Sequence, residues 1–207
     1  MTYVKASVRR PAGNPGNGIQ PKDQLVIYDV DDILSFPPRN DAGVVIEEDI
    51  VMKAGRYAIG IYLTPGTAEI SSNSDGETDA EGYTPSIKFN HPGNEQEIRE
   101  FKTNWLSKKC IVVLRYCSGK PADLIGTPCN PCKLSVSYTG SNESNTNELT
   151  FTQISKGDDI AIYRGTDTLE EPVAVVEAGA TDIDYQTDGQ YQLSAGAAKI
   201  AGVTGGS

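Results

Sequence analysis

Short stretches of alternating apolar and polar residues, each closed by a turn signal, fill the chain from Gln24 to Tyr163, and only one stretch between them has helical periodicity. Tyr57, Ile59, Ile61 and Leu63 alternate with Ala58, Gly60, Tyr62 and Thr64, and Pro65-Gly66 turns the chain back into Thr67–Ser72. Thr84–Asn90 places Ile87 and Phe89 on one side. Leu134, Val136 and Tyr138 oppose Lys133, Ser135 and Ser137, and after a polar turn at 140–147 the segment Glu148–Ile154 returns with Leu149 and Phe151. A period of two with turn residues every ~8–12 positions predicts strands of an antiparallel β-sandwich or barrel. Gln24–Val30, the apolar run Val44–Met52, Cys110–Tyr116 and Asp159–Tyr163 add further strands. Cys110–Leu114 is continuously apolar, as in a strand covered on both faces.

The exception lies at about 95–107. His91-Pro92-Gly93 reads as a turn, and Asn94 as an N-cap with Glu97 completing a capping box. Ile98, Phe101, Trp105 and Leu106 then share one face, while Arg99, Glu100, Lys102 and Lys108 take the other. The expectation is a mainly β protein with one flanking helix.

Domain organisation follows from punctuation. Residues 1–22 form an arm, with three prolines and three glycines in the run from Pro11 to Pro21, and 23–166 form the β domain. Residues 167–207 read as a small appendage, with short strands at 173–176, 183–185 and 191–193, followed by a Gly/Ala-rich tail. The arm carries Lys5, Arg9, Arg10 and Lys22 and no acid. The whole chain has 18 bases and 28 acids, so the remainder has 14 against 28, a balance of −14. Such a body disfavours gripping nucleic acid, whose affinity comes from neutralised phosphates. The opening residues lack the apolar core of a signal peptide, and no apolar run is long enough to span a bilayer. Both observations predict a soluble protein made in a cytoplasm.

Three constellations invite a chemical reading. Cys129 and Cys132 form a CxxC, with Cys110 and Cys117 upstream. The seven-residue offset of the upstream pair puts its side chains on opposite strand faces, which weakens a four-cysteine zinc site. Cys117, Cys129 and Cys132 remain candidates for three ligands or a disulfide clip, against the plainer reading of reduced, inert thiols. The acidic loop Asp75, Glu77, Asp79, Glu81 fails as an EF-hand, because Ala80 and Ser86 occupy the positions that need glycine and a bidentate acid. His91 has no nucleophile motif around it, and neither a P-loop nor a GxGxxG is present. The expectation is therefore a protein that is not an enzyme and holds no cofactor.

The run VVIEEDIVMKAGRYAIGIYLTPGTAEI, the acidic loop 75–82, the strand to Phe89, His-Pro-Gly-Asn at 91–94 with the following helix, and DDIAIYRGT at 158–166 together resemble the major tail tube proteins of long-tailed bacteriophages, particularly those of Bacteroidetes phages and prophages. The resemblance spans about residues 25–166. It implies a structural virion protein, assembled in the bacterial host cytoplasm, that forms hexameric rings stacked into a tube. Its partners would be other copies, other tail proteins, and DNA passing through the lumen without specific binding.

Against that implication, the strands offer small, mostly hydroxylated faces at Glu69/Ser71, Lys133/Ser135/Ser137 and Thr150/Thr152, with Thr67 beside the first pair. A lumen needs faces without arginines or aromatics that would hold phosphates or stack on bases. An ordinary solvent-facing sheet would have the same composition. The arm residues Lys5, Arg9 and Arg10 and the acidic loop Asp75, Glu77, Asp79 and Glu81 are candidates for contacts between rings. The rival readings are a tail terminator or head decoration protein, and a carbohydrate- or receptor-binding β-sandwich module.

Overall fold

In the computed structural model, residues 6–13, 16–117, 119–169, 183–185 and 191–193 are described. The chain divides into two compact units, Met1–Glu170 and Glu171–Ser207. The first unit is mainly β with one α-helix among the described residues, and ten of its strands form one large mixed sheet.

Its centre is the strand pair β1 (Pro21–Asp29) and β8 (Cys110–Tyr116), antiparallel from Leu25↔Leu114 to Asp29↔Cys110. From Leu25 to Asp29 in β1 and along nearly all of β8 both faces are buried, as continuous apolar runs require. β5 (Ile59–Tyr62) pairs with the other edge of β1, and β9 (Ala122–Ile125) with the other edge of β8. β12 (Ala161–Tyr163) follows β9, and β3 (Val45–Ile46) joins β12 in parallel. The second half runs β10 (Cys132–Gly140), β11 (Asn145–Gln153), β7 (Gly82–Pro92), β6 (Glu69–Asp75), all antiparallel. Among the described residues the ladder between β8 and β10, which connects the halves, is a single residue pair, Cys132↔Cys110. Thr64 N–H donates to the Asn90 carbonyl at 2.9 Å and brings the chain after β5 to the end of β7, so the sheet folds over on itself.

Two apolar clusters result. The first lies between the halves and contains Leu25, Ile27, Ile61, Leu63, Ile87, Phe89, Val112, Leu114, Leu134, Leu149 and Phe151, with Phe89 and Phe151 stacked at 6.3 Å. The second lies on the opposite face of β1 and β8, where Val26, Tyr28, Ile111 and Val113 meet Ile46, Ile50, Leu124 and Tyr163. The helix α1 (Gln96–Trp105) sets Ile98 into the first cluster, with Phe101 and Trp105 packed against it and against each other.

Several expectations shift. The apolar run Val44–Met52 is not one strand. It supplies β3 and β4 (Val51–Met52), and β4 pairs with β2 (Ile33–Ser35) in a separate ribbon. β9 was not anticipated, because four residues between proline and glycine carry too little pattern. The helix is shorter than 95–107, and Leu106, its C-cap, is exposed. Its N-cap is Glu95, which makes no side-chain cap. The Asn94 side chain accepts instead from Lys102 Nζ at 2.8 Å, and the Asn94 carbonyl from Arg99 Nε at 2.7 Å. His91 is not a turn residue, since β7 continues through Pro92 and the turn begins at Gly93, whose φ of +76° suits glycine.

At the domain ends, Pro21 and Lys22 belong to β1 rather than to the arm. Asp167 and Leu169 are held to the first unit by Tyr28, Arg115 and the second cluster. In the second unit, β13 (Ile183–Tyr185) and β14 (Tyr191–Leu193) form an antiparallel pair, as two of the three short strands anticipated there. The third, at 173–176, falls outside the described residues.

Candidate functional site

Strand register decides where the small polar side chains go. Across the four strands β6-β7-β11-β10, Glu69 stands opposite Lys88, Lys88 opposite Thr150, and Thr150 opposite Ser135. The next row is Ser71, Ser86, Thr152 and Lys133, and a third is Asn90, Glu148 and Ser137. All seven sequence candidates for a hydroxylated face (Glu69, Ser71, Lys133, Ser135, Ser137, Thr150 and Thr152) therefore share one face of one sheet. The opposite face of the same strands holds Ile70, Ile87, Phe89, Leu149, Phe151 and Leu134, which pack into the first cluster.

The polar face is evenly balanced in charge. Lys88 pairs with Glu69 at 3.6 Å and with Glu148 at 3.8 Å, and Ser71 and Ser86 share a hydrogen bond at 3.0 Å. These pairs are half-exposed and contribute little to stability. Their effect is to occupy Lys88, whereas Lys133 in the second row is exposed and in no ion pair among the described residues. Lys88 and Ser86 were not among the sequence candidates, although their alternation with Ile87 and Phe89 marks the same face.

Both outer strands of this sheet are open. Beyond Cys132, residues Lys133–Gly140 of β10 have no strand partner on the edge away from β11, and β6 has none on the edge away from β7, among the described residues. Exposed N–H and C=O groups along an edge are templates for another strand.

The acidic candidates lie at one end of the same sheet. Asp75 closes β6 and pairs with Lys156 at 3.1 Å, and its carboxyl is held below its ordinary value by hydrogen bonds from Lys156 and the Gly76 N–H. The turn after it is tight: at Gly76, with φ of +141°, a Cβ would lie 2.2 Å from the Ala80 carbonyl oxygen. Glu77, Asp79 and Glu81 are exposed on that turn, which is shorter than the loop expected because β6 runs on to Asp75. Of the basic candidates, Arg9 and Arg10 are exposed in the arm, and Lys5 lies outside the described residues.

The cysteines do not assemble. Cys117 and Cys129 are exposed, while Cys110 and Cys132 are buried, and no group of three ligating side chains forms among the described residues. Cys132 faces Cys110 across the strands instead, and burial pushes the Cys110 thiol up to about 12 and the Cys132 thiol higher still. The exposed large hydrophobics are spread over the arm, the β2/β4 ribbon and several strand ends. Among the described residues no helix is long and apolar enough to cross a membrane.

Comparison with known proteins brings no match: no family model, no curated protein and no solved structure aligns with the chain.

Proposed function

We propose that this chain is a structural subunit of a bacteriophage tail tube, whose rings form when the four-stranded sheet of one copy continues into that of the next. The observation that carries the reading is the combination of one polar face with two open edges on a single sheet. With β6, β7, β11 and β10 successively antiparallel, β6 and β10 run in opposite directions. Rotation about a ring axis preserves strand direction relative to that axis, so β10 of one copy meets β6 of the next as an antiparallel pair. The junction then has the same hydrogen-bond pattern as the sheet itself.

Six copies supply 24 strands from four per copy. At about 4.8 Å per strand such a barrel is roughly 37 Å across between backbones, before tilt widens it. Side chains as short as serine and threonine leave that bore open to a DNA duplex. A face whose two lysines, Lys88 and Lys133, are matched in number by Glu69 and Glu148, with Lys88 ion-paired to both acids and no arginine or aromatic in its three rows, gives the duplex little to hold.

In this reading the acidic turn 76–81 and the basic arm lie on surfaces between stacked rings, and the protein is not an enzyme. Electron microscopy of negatively stained protein at rising concentration tests it. The expected result is rings and tubes of uniform bore. A protein that remains strictly monomeric at every concentration and salt level would refute it.

A further inference from the structure

At one end of the first cluster, where the helix crosses the sheet, polar groups gather without serving the assembly surface. Lys102 reaches from α1 and donates to Asn147 Oδ1 at 2.7 Å and to Asn94 Oδ1 at 2.8 Å, with its Nζ 5.1 Å from the centre of the Tyr138 ring. Asn147 is fully buried on β11. Its Nδ2 donates to the Gly93 carbonyl at 2.5 Å, which turns the oxygen end of the carboxamide toward Lys102. His91 stands directly opposite Asn147 in the β7–β11 register, and its Nδ1 is buried with no hydrogen-bond partner among the described residues.

From this juxtaposition we propose that Lys102 and Asn147 form an intramolecular isopeptide bond that joins α1 to β11, with His91 relaying the proton. The lysine Nζ attacks Cγ of Asn147. The C–N bond of the carboxamide breaks, the nitrogen leaves as ammonia, and Lys102 Nζ becomes an amide nitrogen. No oxidant or other co-reactant enters. One proton passes from the attacking amine to the departing nitrogen, and His91, opposite Asn147 in the β7–β11 register with an unpartnered ring nitrogen, is the base this proposal assigns to carry it.

The surroundings favour each requirement. A nucleophile already within hydrogen-bonding distance of the amide it attacks converts a very slow bimolecular reaction into an intramolecular one. The lysine must be neutral to attack, and desolvation, then the nearby Arg99 charge, lower its pKa. Burial lowers the His91 pKa despite the opposing pull of the Pro92 carbonyl and Glu97, which keeps the ring neutral and able to accept a proton. Asn94 offers the same chemistry but is only partly buried, and its amide nitrogen has no such anchor among the described residues; Asn147 is pinned at both ends.

Intact-mass spectrometry of the full-length protein tests this independently of any assembled state. The expected mass is lower than the sequence mass by one ammonia, and digestion gives a branched peptide joining the Lys102 and Asn147 segments. Localisation matters because Asn17-Gly18 also loses ammonia when it cyclises. Lys102→Arg and Asn147→Ala should each abolish the branched peptide, and His91→Gln should slow its formation by about a hundredfold or more. Folded wild-type protein that keeps its full mass after prolonged incubation, or a branch at Asn94, overturns the proposal. A His91→Gln protein that links at the wild-type rate overturns the relay.

Discussion

Asp167 receives Arg115 Nε and the Tyr28 hydroxyl, the latter at 2.5 Å, while Arg115 Nη2 also donates to the Gly165 carbonyl. The Arg115 guanidinium lies 5.6 Å from the centre of the Tyr163 ring, and the Tyr163 hydroxyl donates to the Thr166 carbonyl. Burial, with Asp167 beside it, pushes the Tyr28 hydroxyl far above its ordinary value, so it remains a donor. This cluster clasps 165–169 to the outer face of β1 and β8. Removing Arg115 leaves the Asp167 carboxylate, only 6% exposed, without its cation. Arg115→Met is therefore expected to lower unfolding stability by about 3 kcal/mol; urea unfolding midpoints measure it, and a variant as stable as wild type contradicts the clasp. None of this was visible in the sequence. Asp167 and Tyr28 are 139 positions apart, and nothing local to either predicts the other. For the same reason the tail was expected to start too early, at 167.

For the helix, periodicity predicted the buried face correctly at Ile98, Phe101 and Trp105, because apolar spacing is a local property. Its capping was misread because the competitor for the Asn94 side chain is Lys102, two turns along, drawn in by Asn147 on another element. His91 was read as a turn residue for a related reason: only the pairing with β11 shows that β7 continues through it. Its placement gives a pH dependence with a definite sign. Burial depresses the folded-state pKa, so the unfolded chain takes up a proton first as pH falls below about 6.5. Stability from this residue is complete above that value and declines as pH falls through the folded pKa. The urea midpoint of the wild type should accordingly drop more between about pH 7.5 and about pH 5 than that of His91→Phe. Equal drops would mean that the ring is as easily protonated in the folded protein as in the unfolded chain.

At the scale of the whole molecule, alternation alone identified the seven hydroxylated-face residues, since a period of two assigns faces without any knowledge of partners. What alternation does not carry is strand order, and strand order is what makes β6 and β10 the two open edges of one sheet. If those edges are where copies join, blocking one should stop assembly while leaving each subunit folded. Successive N–H groups along β10 point alternately toward β11 and toward the open edge, so proline at 135 and proline at 136 have opposite consequences. One removes a ladder bond to β11 and destabilises the subunit. The other removes only an outward donor and adds a ring that a neighbouring strand cannot approach. Of Ser135→Pro and Val136→Pro, one is expected to keep the wild-type circular dichroism spectrum and urea midpoint yet sediment as a monomer at concentrations where wild type forms rings. The same pair of substitutions in β11, a strand paired on both sides, should yield no such variant, because each removes a bond within the subunit. Rings formed by the folded β10 variant would move the junction between copies away from that edge.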